Sequence, residues 1–85
     1  MIFLIEYDRR QGQIVTFKTF GDSERQEAED SRLQLELELN RRGTEREVVL
    51  LEAVSEEALR RTHRRYFEDL QRYFEDLNEL VNSPA

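Results

Sequence analysis

Two apolar runs without alternation constrain the fold of this chain most strongly. One run covers residues 2–7 and the other residues 48–51, and both are rich in β-branched, aromatic and leucine side chains. A strand that is covered on both faces has this pattern, because neither face needs polar residues. Residues 13–20 instead alternate apolar and polar side chains, as a more exposed strand does. The sequence therefore predicts three strands, of which the first is central.

A helix is predicted between the second and third strands. Ser23 and Gln26 have the spacing of a capping box, and Arg41-Arg42-Gly43 has the cations and glycine of a helix end. Residues 33–39 alternate as a strand would, but leucine, glutamate and glutamine form helices well and the cap signals enclose them. Leu33 and Leu37 fall opposite the main apolar face. The sequence leaves open whether these two leucines pack within the chain or across an interface.

The order of elements predicts an α+β fold with the layout β-β-α-β-α. A strand, helix, strand sequence favours a right-handed parallel crossover, so we expect the third strand beside the first, in a three-stranded mixed sheet of order 2-1-3. Ser55 is placed to cap the last helix. Because the chain has 85 residues, we expect residues 1–85 to form a single domain.

The last helix is predicted to be long and amphipathic. No helix breaker occurs between residues 56 and 81, which would give a helix of about 39 Å beside strands of about 23 Å. Residues 65–71 and 72–78 form a tandem heptad repeat that differs only at its last position. We therefore interpret residues 66–82 as a helical extension that carries this repeat. A natural or an engineered duplication would produce the same pattern, and the sequence does not distinguish them.

The repeat places a broad apolar stripe along the last helix. Its first half is expected to cover the sheet of the same chain, whereas the second half extends past the sheet and needs another partner. Basic residues precede acidic ones along this helix, so antiparallel pairing with a second copy is favoured over parallel pairing. We expect a homo-oligomer, with a dimer favoured and a domain swap as one form of it. The predicted interface consists of Tyr66, Leu70, Tyr73, Phe74, Leu77, Leu80 and Val81.

Composition narrows the possible functions. The net charge of -6 disfavours general binding to nucleic acid or anionic membrane. The chain has no cysteine, no apolar run that could cross a bilayer and no basic region of a signal peptide in residues 1–10, so a cytoplasmic location is expected. The one histidine, His63, lies among arginines, and the glycines do not form a phosphate loop. We expect no metal site, no cofactor, no small-molecule substrate and no enzymatic activity.

Two functions of different classes remain. The leading hypothesis is a small non-enzymatic interaction protein that self-associates through the stripe on its last helix. The alternative is a small nucleic-acid-binding regulator, because a basic segment is followed by aromatic residues that could stack on bases. The arginines of that segment are Arg60, Arg61, Arg64 and Arg65.

Overall fold

The computed structural model describes residues 1–68, which form a three-stranded sheet with helical elements on both faces. In chain order the elements are strand β1 (Ile2–Asp8), strand β2 (Gln13–Phe20), a 3-10 turn (Asp22–Glu24), helix α1 (Arg25–Arg42), strand β3 (Glu47–Glu52), helix α2 (Glu56–Thr62) and a second 3-10 turn (Arg64–Tyr66). No helix among these residues is long and apolar enough to cross a membrane.

The sheet has the predicted order β2-β1-β3, but the prediction of a mixed sheet is wrong. β1 is antiparallel to both neighbours, and Ile5 lies opposite Phe17 on β2 and Val49 on β3. The crossover through α1 begins at β2, not at β1, so β3 runs parallel to β2 and therefore antiparallel to the strand between them. The parallel relation expected for a strand, helix, strand unit therefore holds between β2 and β3, which are not adjacent in the sheet.

β1 is buried on both faces, as its apolar run indicates. Phe3, Ile5 and Tyr7 point to one side, where Leu59 of α2 and Tyr66 of the second 3-10 turn complete a core cluster. The Tyr7 and Tyr66 rings meet edge to face with their centroids 5.3 Å apart, a favoured aromatic arrangement. This packing secures the segment after β3 to the sheet.

The opposite face of the sheet is covered by α1. Its buried side chains are Ala28 and Leu39, which the helical periodicity places on the same side. Gly43 ends the helix in the left-handed conformation with φ of 64°, and Thr44 N–H donates to the Leu39 carbonyl oxygen at 3.0 Å. The predicted helix end is therefore confirmed.

The beginning of α1 differs in detail from the prediction. The helix starts at Arg25, after a 3-10 turn, and Ser23 does not cap it. The Glu24 carboxylate instead accepts a hydrogen bond of 2.8 Å from Gly21 N–H. At α2 the predicted cap is confirmed, since Ser55 Oγ accepts from Ala58 N–H at 3.1 Å.

The prediction of a long, continuous last helix is wrong. α2 ends at Thr62, and His63 has non-helical dihedral angles of φ -123° and ψ 53°. The Thr62 hydroxyl donates to the Ala58 carbonyl oxygen at 3.0 Å, a bond that commonly bends helices. After the break, Tyr66 packs on Tyr7. The predicted helix over 56–81 is thus interrupted at His63, and the part of the predicted extension beyond residue 68 lies outside the described residues.

Candidate functional site

The first residue of the predicted interface is buried inside its own chain. Tyr66 is 6% exposed and belongs to the core cluster of the sheet. Phe67, which follows it in the stripe, packs edge to face against Phe17 with 6.0 Å between ring centroids. The first half of the stripe therefore covers the sheet of the same chain. The remaining predicted interface residues lie outside the described residues, and they are Leu70, Tyr73, Phe74, Leu77, Leu80 and Val81.

Each arginine of the predicted nucleic-acid segment contacts a carboxylate of the same chain. On α2, Arg60 reaches Glu56 at 2.8 Å and Arg61 reaches Glu57 at 3.1 Å, both four residues apart. The Arg60 guanidinium also lies over the Phe67 ring, 4.5 Å from its centroid. These contacts reduce the positive charge that the segment presents to a polyanion.

The other two arginines of the segment are paired after the break at His63. Arg64 contacts Glu68 at 3.2 Å. Arg65 Nη1 donates to Glu47 Oε2 at 3.3 Å, which joins this segment to the start of β3. The segment is therefore a row of ion pairs in which Arg65 also has a structural role.

Glu47 is the centre of the most connected polar cluster in residues 1–68. Its side chain is only 12% exposed and receives hydrogen bonds from Arg65, from the Tyr66 hydroxyl at 2.9 Å and from Arg9 Nε at 3.4 Å. Hydrogen bonding from Arg65 is the main reason why the pKa of the Glu47 carboxyl falls to about 2, against the opposing effect of burial. This carboxylate is therefore ionised throughout the neutral range.

The same cluster changes the titration of its other members. Burial raises the pKa of the Tyr66 hydroxyl, and the hydrogen bond to Glu47 raises it further. Hydrogen bonding to Glu47 likewise raises the pKa of Arg65. Tyr66 is therefore held as a neutral donor and Arg65 as a cation. The cluster has the properties of a structural clamp between β3 and the second 3-10 turn.

A second polar cluster lies on the α1 side of the sheet, where sequence reasoning did not expect one. Glu6 and Asp8 are 4% and 7% exposed, and Arg46 lies between them with Nε 3.4 Å from Glu6 Oε2 and Nη1 3.8 Å from Asp8 Oδ2. Thr16 donates to Glu6 Oε1 at 2.7 Å. The one available signal was the glutamate inside the apolar run of β1, where a buried charge requires a partner.

A cleft of about 650 Å³ lies beside both clusters, between the C-terminal end of α1 and the ends of β1 and β3. Its charged lining mixes arginines with carboxylates, so it favours neither an anion nor a cation. These residues are Arg9, Arg10, Arg46, Asp8, Glu36, Glu45 and Glu47. Within residues 1–68, no group of three or more histidine, aspartate or glutamate side chains is placed to hold a metal ion.

The structure also shows the positions of His63 and of the two leucines of α1 that the sequence places opposite its main apolar face. His63 follows the last turn of α2, and its Nδ1 lies 3.0 Å from the Thr62 hydroxyl. Leu33 and Leu37 are 54% and 58% exposed. They therefore do not pack into the core formed by residues 1–68, which answers one part of the question that the sequence left open.

Comparison of the chain with protein-family models, with curated proteins and with solved structures finds no match. The surfaces and contacts of the chain itself are therefore the basis for the proposed function.

Proposed function

We propose that this chain is a small non-enzymatic protein that self-associates through the apolar stripe of its C-terminal heptad repeat. The observation that carries the proposal is that Tyr66 and Phe67, at the start of the stripe, already pack on the sheet of their own chain. Ile2, Phe3, Leu4 and Ile5 are each at most 1% exposed, and the described part of the cluster around Phe3 and Ile5 extends to Phe67. The apolar residues that follow Phe67 in the repeat are the proposed contacts with a second copy.

The expected gain from covering this surface is large enough to drive association. Burial of a large apolar side chain contributes about 1.5 to 3 kcal/mol. Six such residues follow at helical spacing in the sequence, and they are Leu70, Tyr73, Phe74, Leu77, Leu80 and Val81. Paired with a second copy, they would form a self-complementary interface of the kind that closed dimers use.

Charge has a smaller part in this proposal than sequence alone indicates. Arg60, Arg61, Arg64 and Arg65 already contact carboxylates of their own chain, so apolar burial rather than charge supplies the attraction. The same ion pairs weaken the case for nucleic-acid binding through this arginine segment. A cytoplasmic location is part of the proposal and is supported by the absence of cysteine.

The test is the mass of the full chain in solution, measured by light scattering after size exclusion. Leu70→Glu combined with Phe74→Glu places two charges in the stripe and is expected to lower the mass of the assembly. The matched control is Gln71→Glu combined with Asn78→Glu, which adds the same charge outside the stripe and should keep the wild-type mass. Equal masses for the two double variants would overturn the proposal.

A further inference from the structure

β3 has one edge that no strand among residues 1–68 occupies. The Ala53 N–H donates to the Met1 carbonyl oxygen at 3.1 Å, and the Met1 nitrogen donates back to the Ala53 carbonyl oxygen at 3.0 Å. This mutual pair sets the alternation of the antiparallel ladder, so every second residue counted back from Ala53 bonds to β1. Val48, Leu50 and Glu52 therefore direct their backbone N–H and C=O groups away from the sheet.

Among the described residues, this edge of β3 lacks the proline, lysine and irregular pairing that often prevent association with another chain. The central residues of β3 are apolar, and the strand contains no proline and no lysine. The other edge strand, β2, has exposed Lys18 and a register irregularity opposite Glu6 and Tyr7. β2 is thus a protected edge, whereas Val48 and Leu50 on β3 form an open and only partly buried one.

We propose that β3 pairs antiparallel with β3 of a second copy, so that the two sheets join into one of six strands. The two-fold axis passes through Val49, which faces Val49 of the partner subunit. In this register Val48 lies opposite Leu50 of the partner subunit. The outward backbone groups of both strands meet in hydrogen-bonded pairs, while Val49 occupies a non-hydrogen-bonded pair.

The charged residues at the two ends of β3 favour this register over other registers of the two strands. Arg46 lies opposite Glu52 of the partner subunit, and both side chains are on the α1 face of the sheet. Arg46 contacts Glu6 and Asp8 within its own chain, and Glu52 contacts Arg25, so the pair across the interface would join two existing ion pairs. Glu47 faces Leu51 of the partner subunit, which avoids a pair of like charges.

Two alternative arrangements are less favourable. Parallel pairing in register would set Glu47 and Glu52 each against its own copy, and like charges directly opposite destabilise a sheet. Moving the two-fold axis to Leu50 would place Val48 opposite Glu52 of the partner subunit and would leave Arg46 without a carboxylate of the partner subunit opposite it. Self-pairing around Val49 alone gives apolar neighbours in the centre and opposite charges at both ends.

The register can be tested by disulfide formation because the chain contains no cysteine. In Val49→Cys the two thiols would face each other across a non-hydrogen-bonded pair, with Cα atoms about 4.5 Å apart, within the range that a disulfide spans. We expect the oxidised full-length variant to form a covalent dimer. Leu51→Cys is the control on the same face, since its counterpart would lie about 13 Å away along the strand. No dimer at position 49, or equal yields at both positions, would overturn the proposal.

A second measurement separates this interface from the stripe of the proposed function. In the Leu70→Glu, Phe74→Glu background the β3 edge remains, so this protein is expected to be a dimer. Adding Leu50→Pro removes an outward N–H without breaking the ladder to β1 and should give a monomer. Adding Leu50→Ala, which keeps the N–H, should leave the dimer.

The outcomes of the two proposals differ. If the stripe does not associate, Leu70→Glu combined with Phe74→Glu leaves the mass of the protein equal to that of the wild type. The disulfide of the Val49→Cys variant still forms in that case. The β3 pairing would be overturned if the Leu70→Glu, Phe74→Glu protein is a monomer and forms no disulfide after Val49→Cys is added. That result would direct the search to an extended segment of another protein as the occupant of this edge.

Discussion

The Tyr66 hydroxyl donates a hydrogen bond of 2.9 Å to the Glu47 carboxylate, and this contact joins the last described segment to the start of β3. Arg65 binds the same carboxylate and also lies over the Tyr66 ring, 4.2 Å from its centroid. Three residues thus hold the turn after α2 against the sheet. Substitution of Glu47 and of Tyr66 tests two of these contacts separately.

Glu47→Gln is expected to lower the free energy of unfolding by about 1.5 to 3 kcal/mol at pH 7, because it replaces a charged acceptor of several hydrogen bonds. The pKa of Glu47 is about 2 in the folded chain against an ordinary value of 4.5. Ionisation therefore stabilises the fold above about pH 5, and this contribution is lost as the pH falls towards about 2.

Urea denaturation at pH 7 and at pH 3 measures the effect of Glu47→Gln. The difference in unfolding free energy between wild type and variant should be smaller at pH 3. The control is Glu45→Gln, which neutralises an exposed carboxylate two residues away. A difference for Glu47→Gln that is independent of pH would contradict the assignment of this carboxylate as an ionised hydrogen-bond acceptor.

Tyr66→Phe removes the hydroxyl donor but keeps the ring contact with Tyr7. We expect a loss of about 1 kcal/mol in unfolding free energy, the usual contribution of one hydrogen bond. Tyr7→Phe is the comparison, because the Tyr7 hydroxyl makes only a long contact of 3.5 Å with the Arg65 carbonyl oxygen. Thermal denaturation should rank Tyr66→Phe as the more destabilising change, and the reverse order would contradict the importance of the Glu47 contact.

Gly43→Ala is expected to destabilise the chain by about 1 to 2 kcal/mol, because φ is 64° at this position. No described atom lies within 4 Å of an added Cβ, so the cost comes from the backbone conformation and not from a steric clash. Gly43→Asn should cost less, since asparagine tolerates the left-handed region. Chemical denaturation of both variants gives the comparison, and equal losses would argue against a conformational origin.

The sequence predicted those parts of the fold that depend on local signals. The burial of β1 follows from its unbroken apolar run, and the end of α1 follows from the arginines and Gly43. The direction of β3 was missed because it depends on which strand begins the crossover, and the apolar run at Val48 contains no directional information.

The end of α2 was missed for a different reason. The residues around His63 contain no glycine or proline, so helix periodicity continues through them in the sequence. The break is supported by contacts of Arg65 and Tyr66 with Glu47, which is distant in the chain. Tertiary contacts of this kind override local helix propensity. The ion pair of Glu6 and Arg46 is likewise not apparent from the sequence, because only the folded sheet brings these two residues together.

The central position of β1 has a consequence for how the chain folds. β1 precedes both neighbours in sequence, and although β2 follows after a short turn, β3 comes only after the 18 residues of α1. The β1–β2 hairpin can form early, but one side of the most apolar strand then waits for a distant segment. Closing that long loop costs entropy before the β1–β3 contacts form, which slows folding. Folding of the three-stranded sheet is therefore expected to be slower than formation of the hairpin alone.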